Sequence, residues 1–204
     1  MKIYSLEEGE KLVKAARNSI ELGLKMASFD KELVKRGLEN FNQRYGVFVT
    51  IEYYPTNELR GCIGFPKAID TVKNEIVEAA LAAAFEDPRF PPLSQNELDD
   101  IVIEVSILSK PEMIKGNLLD SFEIGKDGLI LEYGAASGLL LPVVPVEQGW
   151  NKNEFLDALC QKAGVPKKSC FDPNANLYKF ETQIFREEKP YGSVFERVLN
   201  KSEK

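Results

Sequence analysis

The chain has 204 residues, of which 44% are hydrophobic and 28% are charged, with 26 basic against 32 acidic side chains. This length and composition favour one folded domain with a substantial core and argue against disorder. The net charge of −6 makes nucleic acid an unlikely partner, because recognition of the phosphate backbone needs clustered Lys and Arg. The apolar runs are far shorter than the ~20 residues of a membrane span, and the first residues lack the features of a secretory signal. We therefore expect a soluble, cytoplasmic protein that does not enter membranes.

The sequence contains no histidine, which restricts the chemistry of any site. Ser-His and Cys-His nucleophilic catalysis and His-based metal sites all require imidazole, so proton transfer would fall to a carboxylate, Lys, Tyr, a thiol or water. The three cysteines, Cys62, Cys160 and Cys170, form no C-x-x-C pair, which favours free thiols. No metal and no cofactor are predicted.

The sequence predicts helices that alternate with strands. The first helix begins with the capping-box pair Ser5 and Glu8, and a second capping box is predicted at Ser94 and Glu97. Helices are predicted over 5–24, 31–37, 70–88 and 149–164, with a short tail helix over 193–201. Strands are predicted over 45–54, 59–65, 101–108 and 177–185, with two more inside 127–144. This order indicates an α+β protein with a mostly antiparallel or mixed sheet and flanking helices, built as one domain over residues 1–204.

The hexapeptide "LRGCIG", residues 59–64, is the main candidate site. In a regular strand Arg60, Cys62 and Gly64 project to one face. A guanidinium beside a thiol stabilises the thiolate, and Gly61 and Gly64 would let a ligand approach the backbone. The alternative is structural, because free cysteine often packs as a small hydrophobe and strand glycines also mark close backbone contacts.

Four further side chains are candidates for the same site. Glu104 and Ser106 form the polar face of the strand 101–108, either as an ion pair of Glu104 with Arg60 or Arg89 or as the wall of a polar cleft. Asp87 and Arg89 stand in the proline-stiffened loop after the third helix. They either pair with each other and terminate that helix or present their side chains to a cleft.

Three stretches, "GVFVTIEYYPTNELRGCIGFP", "EDPRFPP" and "VEQGW", closely resemble the AMMECR domain family, over about Gly46 to Phe185. The resemblance implies an α+β unit with a larger and a smaller subdomain and the LRGCIG strand near the cleft between them. It also implies a role for Gln148 of the last motif. The family pattern at residues 125–128 resembles "G-x-H-G", whereas this chain has "GKDG" with Asp127 in place of the histidine. No His-dependent step is therefore expected.

The resemblance does not supply a reaction, because the biochemical activity of the family is not established, and whether the chain is an enzyme stays open. One hypothesis is an enzyme or enzyme-associated protein, with Cys62 as nucleophile or redox thiol, Arg60 holding an anionic group and Glu104 accepting a proton. The alternative is a non-catalytic binding or adaptor module that recognises a small molecule or peptide in the same cleft. The binding residues of either would be Gly61, Gly64, Asp87, Arg89, Ser106 and Gln148. Family members also look like companions of radical-SAM and Memo-type proteins, which implies such partners and a shared modification pathway.

Overall fold

The computed structural model describes residues 2–26 and 29–199 as helices joined to antiparallel strands, which confirms the α+β class. Contacts divide the chain into two units. The larger unit comprises Lys2–Leu108 and Gln183–Arg197, and the smaller unit comprises Ser109–Thr182 with Val198 and Leu199.

Among its described residues, the larger unit contains three α-helices and five strands. The helices are α1 (Leu6–Lys25), α2 (Lys31–Lys35) and α3 (Val72–Phe85). The strands are β1 (Gly46–Tyr53), β2 (Leu59–Phe65), β3 (Ile101–Leu108), the end of β7 (Asn176–Glu187) and β8 (Val194–Arg197). They are ordered β2, β1, β3, β7, β8. A 3₁₀ helix, Gln95–Asp100, leads into β3 and begins with the predicted capping box of Ser94 and Glu97.

One face of this sheet packs against α1 and α3 and forms the core of the larger unit. The predicted stripe of Leu12, Ala16 and Ile20 on α1 is fully buried, and α1 begins at the capping box of Ser5 and Glu8. On the sheet, Val49 and Ile51 of β1 are also fully buried. Since side chains alternate along a strand, the residues between them, such as Thr50, point to the opposite face.

The smaller unit has its own sheet and its own core. Its elements are β4 (Glu112–Met113), β5 (Asp127–Tyr133), β6 (Ala136–Leu140), α4 (Val143–Glu147), α5 (Lys152–Ala163) and the first part of β7. The strands are ordered β4, β7, β5, β6, and every pair is antiparallel. Helix α5 packs on β5 and β6 and begins at a capping box of Asn151 and Glu154.

One prediction of secondary structure is wrong. The segment predicted as a tail helix forms β8, which pairs antiparallel with the end of β7; positions 200 and 201 of that prediction lie outside the described residues. The two strands predicted inside 127–144 form as β5 and β6, and Pro142 then precedes the short helix α4. Throughout 2–26 and 29–199, every helix is too short or too polar to traverse a bilayer.

Candidate functional site

A row of polar side chains crosses three neighbouring strands of the larger unit. Thr50 on β1 lies directly opposite Cys62 on β2 and directly opposite Glu104 on β3. Because opposed residues of antiparallel strands project to the same face, the three side chains stand side by side. They occupy the face that does not pack against α1 and α3. We call Cys62, Thr50 and Glu104 the polar row.

Glu104 is held between two arginines at the inner end of the polar row. Its side chain is only 6% exposed, and its Oε2 lies 3.0 Å from Nη1 of Arg197 and 3.5 Å from Nη1 of Arg186. Arg186 also binds the carboxylate of Glu52. Burial raises the pKa of Glu104, and the two arginines oppose this shift while Glu52 adds to it. The two acids and two arginines balance in charge.

The thiol of Cys62 accepts a hydrogen bond from its neighbour in the polar row. Thr50 Oγ1 donates a hydrogen bond to Cys62 Sγ at 3.2 Å, and the residue is partly exposed. Burial raises the pKa of the Cys62 thiol; the Thr50 hydrogen bond and the charge of Arg89 offset this only in part, and Glu104 adds to it. A thiol with a raised pKa stays protonated at neutral pH. The nearby positive charge is Arg89, whereas Arg60 binds Glu97. Stabilisation of a thiolate by Arg60 is therefore wrong, and the role of Cys62 as nucleophile stays a prediction.

Arg60 is bound to Glu97, on the helix-packed face of the sheet. Its Nε donates to Glu97 Oε1 at 2.6 Å and its Nη2 donates to the carbonyl of Pro91 at 2.9 Å. The hydroxyl of Tyr53 donates to the same Glu97 oxygen at 2.7 Å, and Tyr53 shares the face of Ile51. The hydrogen bond from Arg60 holds the pKa of Glu97 at about 2.

A β-bulge explains why Arg60 and Cys62 do not share a face. Ile51 pairs with Gly61, but the next residue of β1 pairs with Leu59, which makes Arg60 an extra residue of β2. A bulge breaks strict alternation and redirects the side chain. The expectation of a guanidinium and a thiol on one face is therefore wrong, and so is the alternative that pairs Glu104 with Arg60.

Asp87 and Arg89 bind the outer edge of β2. The backbone N–H of Cys62 donates to Asp87 Oδ2 at 2.8 Å, and Arg89 Nη2 donates to the carbonyl of Cys62 at 3.3 Å and to Asp87 Oδ2 at 2.7 Å. The guanidinium lowers the pKa of Asp87 well below its usual range. β2 is the end strand of the order, so the pair occupies backbone groups that would otherwise be unpaired. The alternative of mutual pairing is confirmed.

The two glycines of the hexapeptide are in close contact with neighbouring groups. A Cβ at Gly61 would lie 2.2 Å from the carbonyl oxygen of Ala83 on α3, and a Cβ at Gly64 would lie 2.3 Å from the ring of Phe48. The space beside each glycine is therefore filled by the protein. Close packing on α3, not an empty place for a ligand, accounts for Gly61.

A family model named AMMECR1 matches residues 13–185 of the chain, which is most of its length. The chain belongs to the AMMECR1 family. A protein of Methanocaldococcus jannaschii is 47% identical over 203 residues, covering 98% of this chain and 100% of the relative. One of Methanopyrus kandleri is 46% identical, covering 96% of each. The crystal structure of an uncharacterised protein from Pyrococcus horikoshii matches with a TM-score of 0.90 at 43% identity, covering 98% of this chain and 100% of that one.

The remaining candidates of the AMMECR1 motifs lie in different places. Ser106 is buried on β3, opposite Phe48 and on the same face as the polar row. Gln148 belongs to the smaller unit, where it is exposed at the end of α4, and its binding role stays a prediction. Asp127 of the GKDG segment accepts a hydrogen bond from the N–H of Glu123 at 2.8 Å and closes the turn before β5.

A pocket of the smaller unit was not predicted from the sequence. It has a volume of about 420 Å³, and its lining includes Asp127, Phe122 and three lysines, Lys126, Lys152 and Lys179. Across the described ranges, no group of three or more Cys, Asp or Glu side chains could hold a metal ion. The sequence also did not single out Thr50, Arg186 and Arg197; the only signal for Thr50 was a polar residue between buried apolar ones in a strand.

Proposed function

We propose that this AMMECR1-family chain binds a small molecule or peptide segment at the polar row, and that the row recognises neutral hydrogen-bonding groups. The observation that carries the proposal is the register that aligns Cys62, Thr50 and Glu104 across three strands. Glu104 is held by its two arginines, whereas Thr50 and Cys62 are partly exposed and have hydrogen-bonding capacity beyond the contact between them.

The charges around the row favour a neutral ligand over an ion. Glu104 is paired with Arg186 and Arg197, and Arg186 is also paired with Glu52. An added charge would have to compete with these pairs in a poorly solvated place, where an unbalanced charge is costly. Hydroxyl, thiol and carboxylate groups instead offer hydrogen bonds to amides or alcohols.

The raised pKa of the thiol favours recognition over nucleophilic attack. A protonated Cys62 presents a weak S–H donor and a polarizable surface to a ligand. The same state is a poor nucleophile, because the thiolate is the attacking species. The binding function is therefore the better match to the geometry.

Disulfide capture of fragments tests this proposal at the position of Cys62. A variant with Cys160→Ala and Cys170→Ala is incubated with a library of disulfide-linked fragments under partly reducing conditions, and intact mass reports the captured compounds. Fragments with amide or alcohol groups that contact Thr50 or Glu104 should be enriched over the small, non-selective disulfide cystamine. The matched controls Thr50→Val and Glu104→Gln should lose the enrichment while reacting normally with cystamine. Capture that simply follows the intrinsic reactivity of each fragment would overturn the proposal.

An enzymatic role is the second candidate, and the buried Glu104 favours it. A desolvated carboxyl with a raised pKa, in the same row as a thiol, is the kind of group that transfers protons in active sites. In that case Glu104 would act as acid or base on the bound ligand, and Cys62 would hold the ligand in position. Turnover of a captured fragment by the wild-type chain, lost in Glu104→Gln with fragment binding intact, would establish this role.

A shared modification pathway with radical-SAM and Memo-type proteins stays a prediction from the family resemblance. Co-purification of such proteins with the wild-type chain, and its loss on substitution within the polar row, would connect the pathway to this site.

A further inference from the structure

Two cysteines of the smaller unit, ten residues apart in the sequence, are in contact through their sulfur atoms. Cys160 lies on α5, Cys170 lies in the 3₁₀ helix Ser169–Phe171, and their Sγ atoms are 3.2 Å apart. Both residues are buried, at 0% and 3% exposure. They pack in one hydrophobic cluster with Phe155 and Leu159.

The two sulfurs are in contact as thiols, and a small displacement would bring them to bonding distance. A disulfide bond measures about 2.05 Å, so the sulfurs would approach each other by roughly 1 Å. Neither sulfur is tied to a metal-binding group in the part of the chain that the structure describes. The pairing was not predictable from the sequence, because the ten-residue separation matches no redox motif.

The segment between the cysteines offers a route for an oxidant. Most of its residues are exposed, and it turns at Gly164 and Lys168, which both have positive φ. The 3₁₀ helix after it has three residues, so local opening there exposes Cys170 while α5 stays folded. Cys160 remains buried on α5 and is the second thiol to react.

We propose that Cys160 and Cys170 are a redox modification site that closes to an intramolecular disulfide by exchange with a low-molecular-weight disulfide. Burial raises the pKa of the Cys170 thiol in the closed fold, so the reaction begins in the locally opened state, in which the exposed Cys170 can ionise. Its thiolate attacks one sulfur of the small disulfide, which forms a mixed disulfide and releases one small thiol. The thiolate of Cys160 then attacks Sγ of Cys170, and the second small thiol leaves. Two protein thiols are oxidised, and one small disulfide is reduced to two thiols, each carrying one of the two protons.

The third cysteine is an internal reference. Cys62 lies in the larger unit on β2 and is partly exposed. It can form a mixed disulfide but has no neighbouring thiol among the described residues. In the Cys160–Cys170 pair, by contrast, the second thiol is already in contact with the first. The Cys160–Cys170 disulfide should therefore be at least about tenfold more abundant than the mixed disulfide.

Peptide mapping tests the proposal directly, because trypsin places each cysteine on its own peptide. Residues 61–67, 153–162 and 169–179 each carry one cysteine and end at a lysine. The folded, reduced chain is equilibrated with oxidised and reduced glutathione, quenched in acid and alkylated. We expect peptides 153–162 and 169–179 to be joined, with a loss of about 2 Da relative to the two free thiols, and peptide 61–67 to remain alkylated or glutathionylated.

Equilibration from both directions removes the effect of slow access to the buried sulfurs. A second sample is oxidised in urea and refolded into the same glutathione buffer. Both samples should converge on the joined peptides; Cys62→Ala should retain them, and Cys160→Ala or Cys170→Ala should lose them. Separate, alkylated 153–162 and 169–179 peptides from both starting states, in a buffer that glutathionylates Cys62, would overturn the proposal.

Discussion

Replacing Gly61 with alanine distinguishes a packing role for this glycine from a ligand-binding role. The added Cβ would lie 2.2 Å from the carbonyl oxygen of Ala83 and 3.2 Å from its carbonyl carbon. A carbon and an oxygen in contact normally stand about 3.3 Å apart, so the strand and α3 would have to separate by about 1 Å. The obstacle is helix backbone, which cannot rotate away as a side chain can.

The expected cost follows from two opposing terms. Overpacking of a close-packed interior destabilises by about 1–3 kcal/mol. Alanine recovers about 0.4–1 kcal/mol by restricting the unfolded chain. β2 and α3 border a fully buried core, where Val49, Ile51 and Ala80 are 0% exposed, so relaxation is limited. We take an overpacking cost of about 3 kcal/mol, at the top of its range, which leaves a net loss of about 2 kcal/mol in the free energy of unfolding after the alanine contribution is subtracted.

Urea unfolding followed by circular dichroism measures this loss without any ligand. With an m-value of about 2 kcal/mol/M, the midpoint should fall by roughly 1 M while the slope is unchanged. The control is Glu58→Ala, at an exposed residue three positions before Gly61. Its free energy of unfolding should stay within about 0.5 kcal/mol of the wild-type value. A Gly61→Ala chain as stable as the wild type would refute the packing argument and return Gly61 to the list of ligand-binding candidates.

Three further predictions concern the side chains around the hexapeptide. Arg60→Met should lower the free energy of unfolding by about 2 kcal/mol, because Glu97 and the Pro91 carbonyl lose a charged donor. Since the folded-state pKa of Glu97 is about 2, below the usual value near 4.3, this difference should be full above about pH 4.3 and shrink toward pH 2; a difference that does not vary with pH in urea titrations would show that Glu97 is not the partner. The rate of alkylation of Cys62 by iodoacetamide should rise with an apparent pKa above the ordinary value of about 8.5, in a Cys160→Ala, Cys170→Ala background, and a midpoint below pH 8 would restore the nucleophile hypothesis. Asp87→Ala should expose the amide of Cys62, so that its hydrogen exchange measured by NMR is about tenfold faster or more, whereas the exposed neighbour Glu86→Ala should leave it unchanged.

The sequence alone was sufficient for most of the helices and strands. The helix starts were readable because a capping box is a contact between residues three apart, as at Ser5 and Asn151. The hairpin of β1 and β2 was readable from its alternation and turn. The motifs also identified the AMMECR1 family, which the comparison over residues 13–185 shows.

The composition of the site depended on contacts between distant segments. Alternation placed Arg60 beside Cys62, but a one-residue bulge turned Arg60 toward Glu97. Arg186 and Arg197 reach Glu104 only because β7 and β8 join the same sheet. No local pattern marks such partners, since a strand does not encode which strand it will pair with.

The amino-acid sequence by itself therefore determined where helices begin, which strands alternate apolar and polar residues, and the family to which the chain belongs. These properties can be read from short stretches of neighbouring residues. Only the tertiary structure decided the surroundings of the Cys62 thiol, the partner of Arg60 and the contact of Cys160 with Cys170. Each of these depends on burial and on side chains brought from elsewhere in the fold, and desolvation and close contact exist only after the chain has packed.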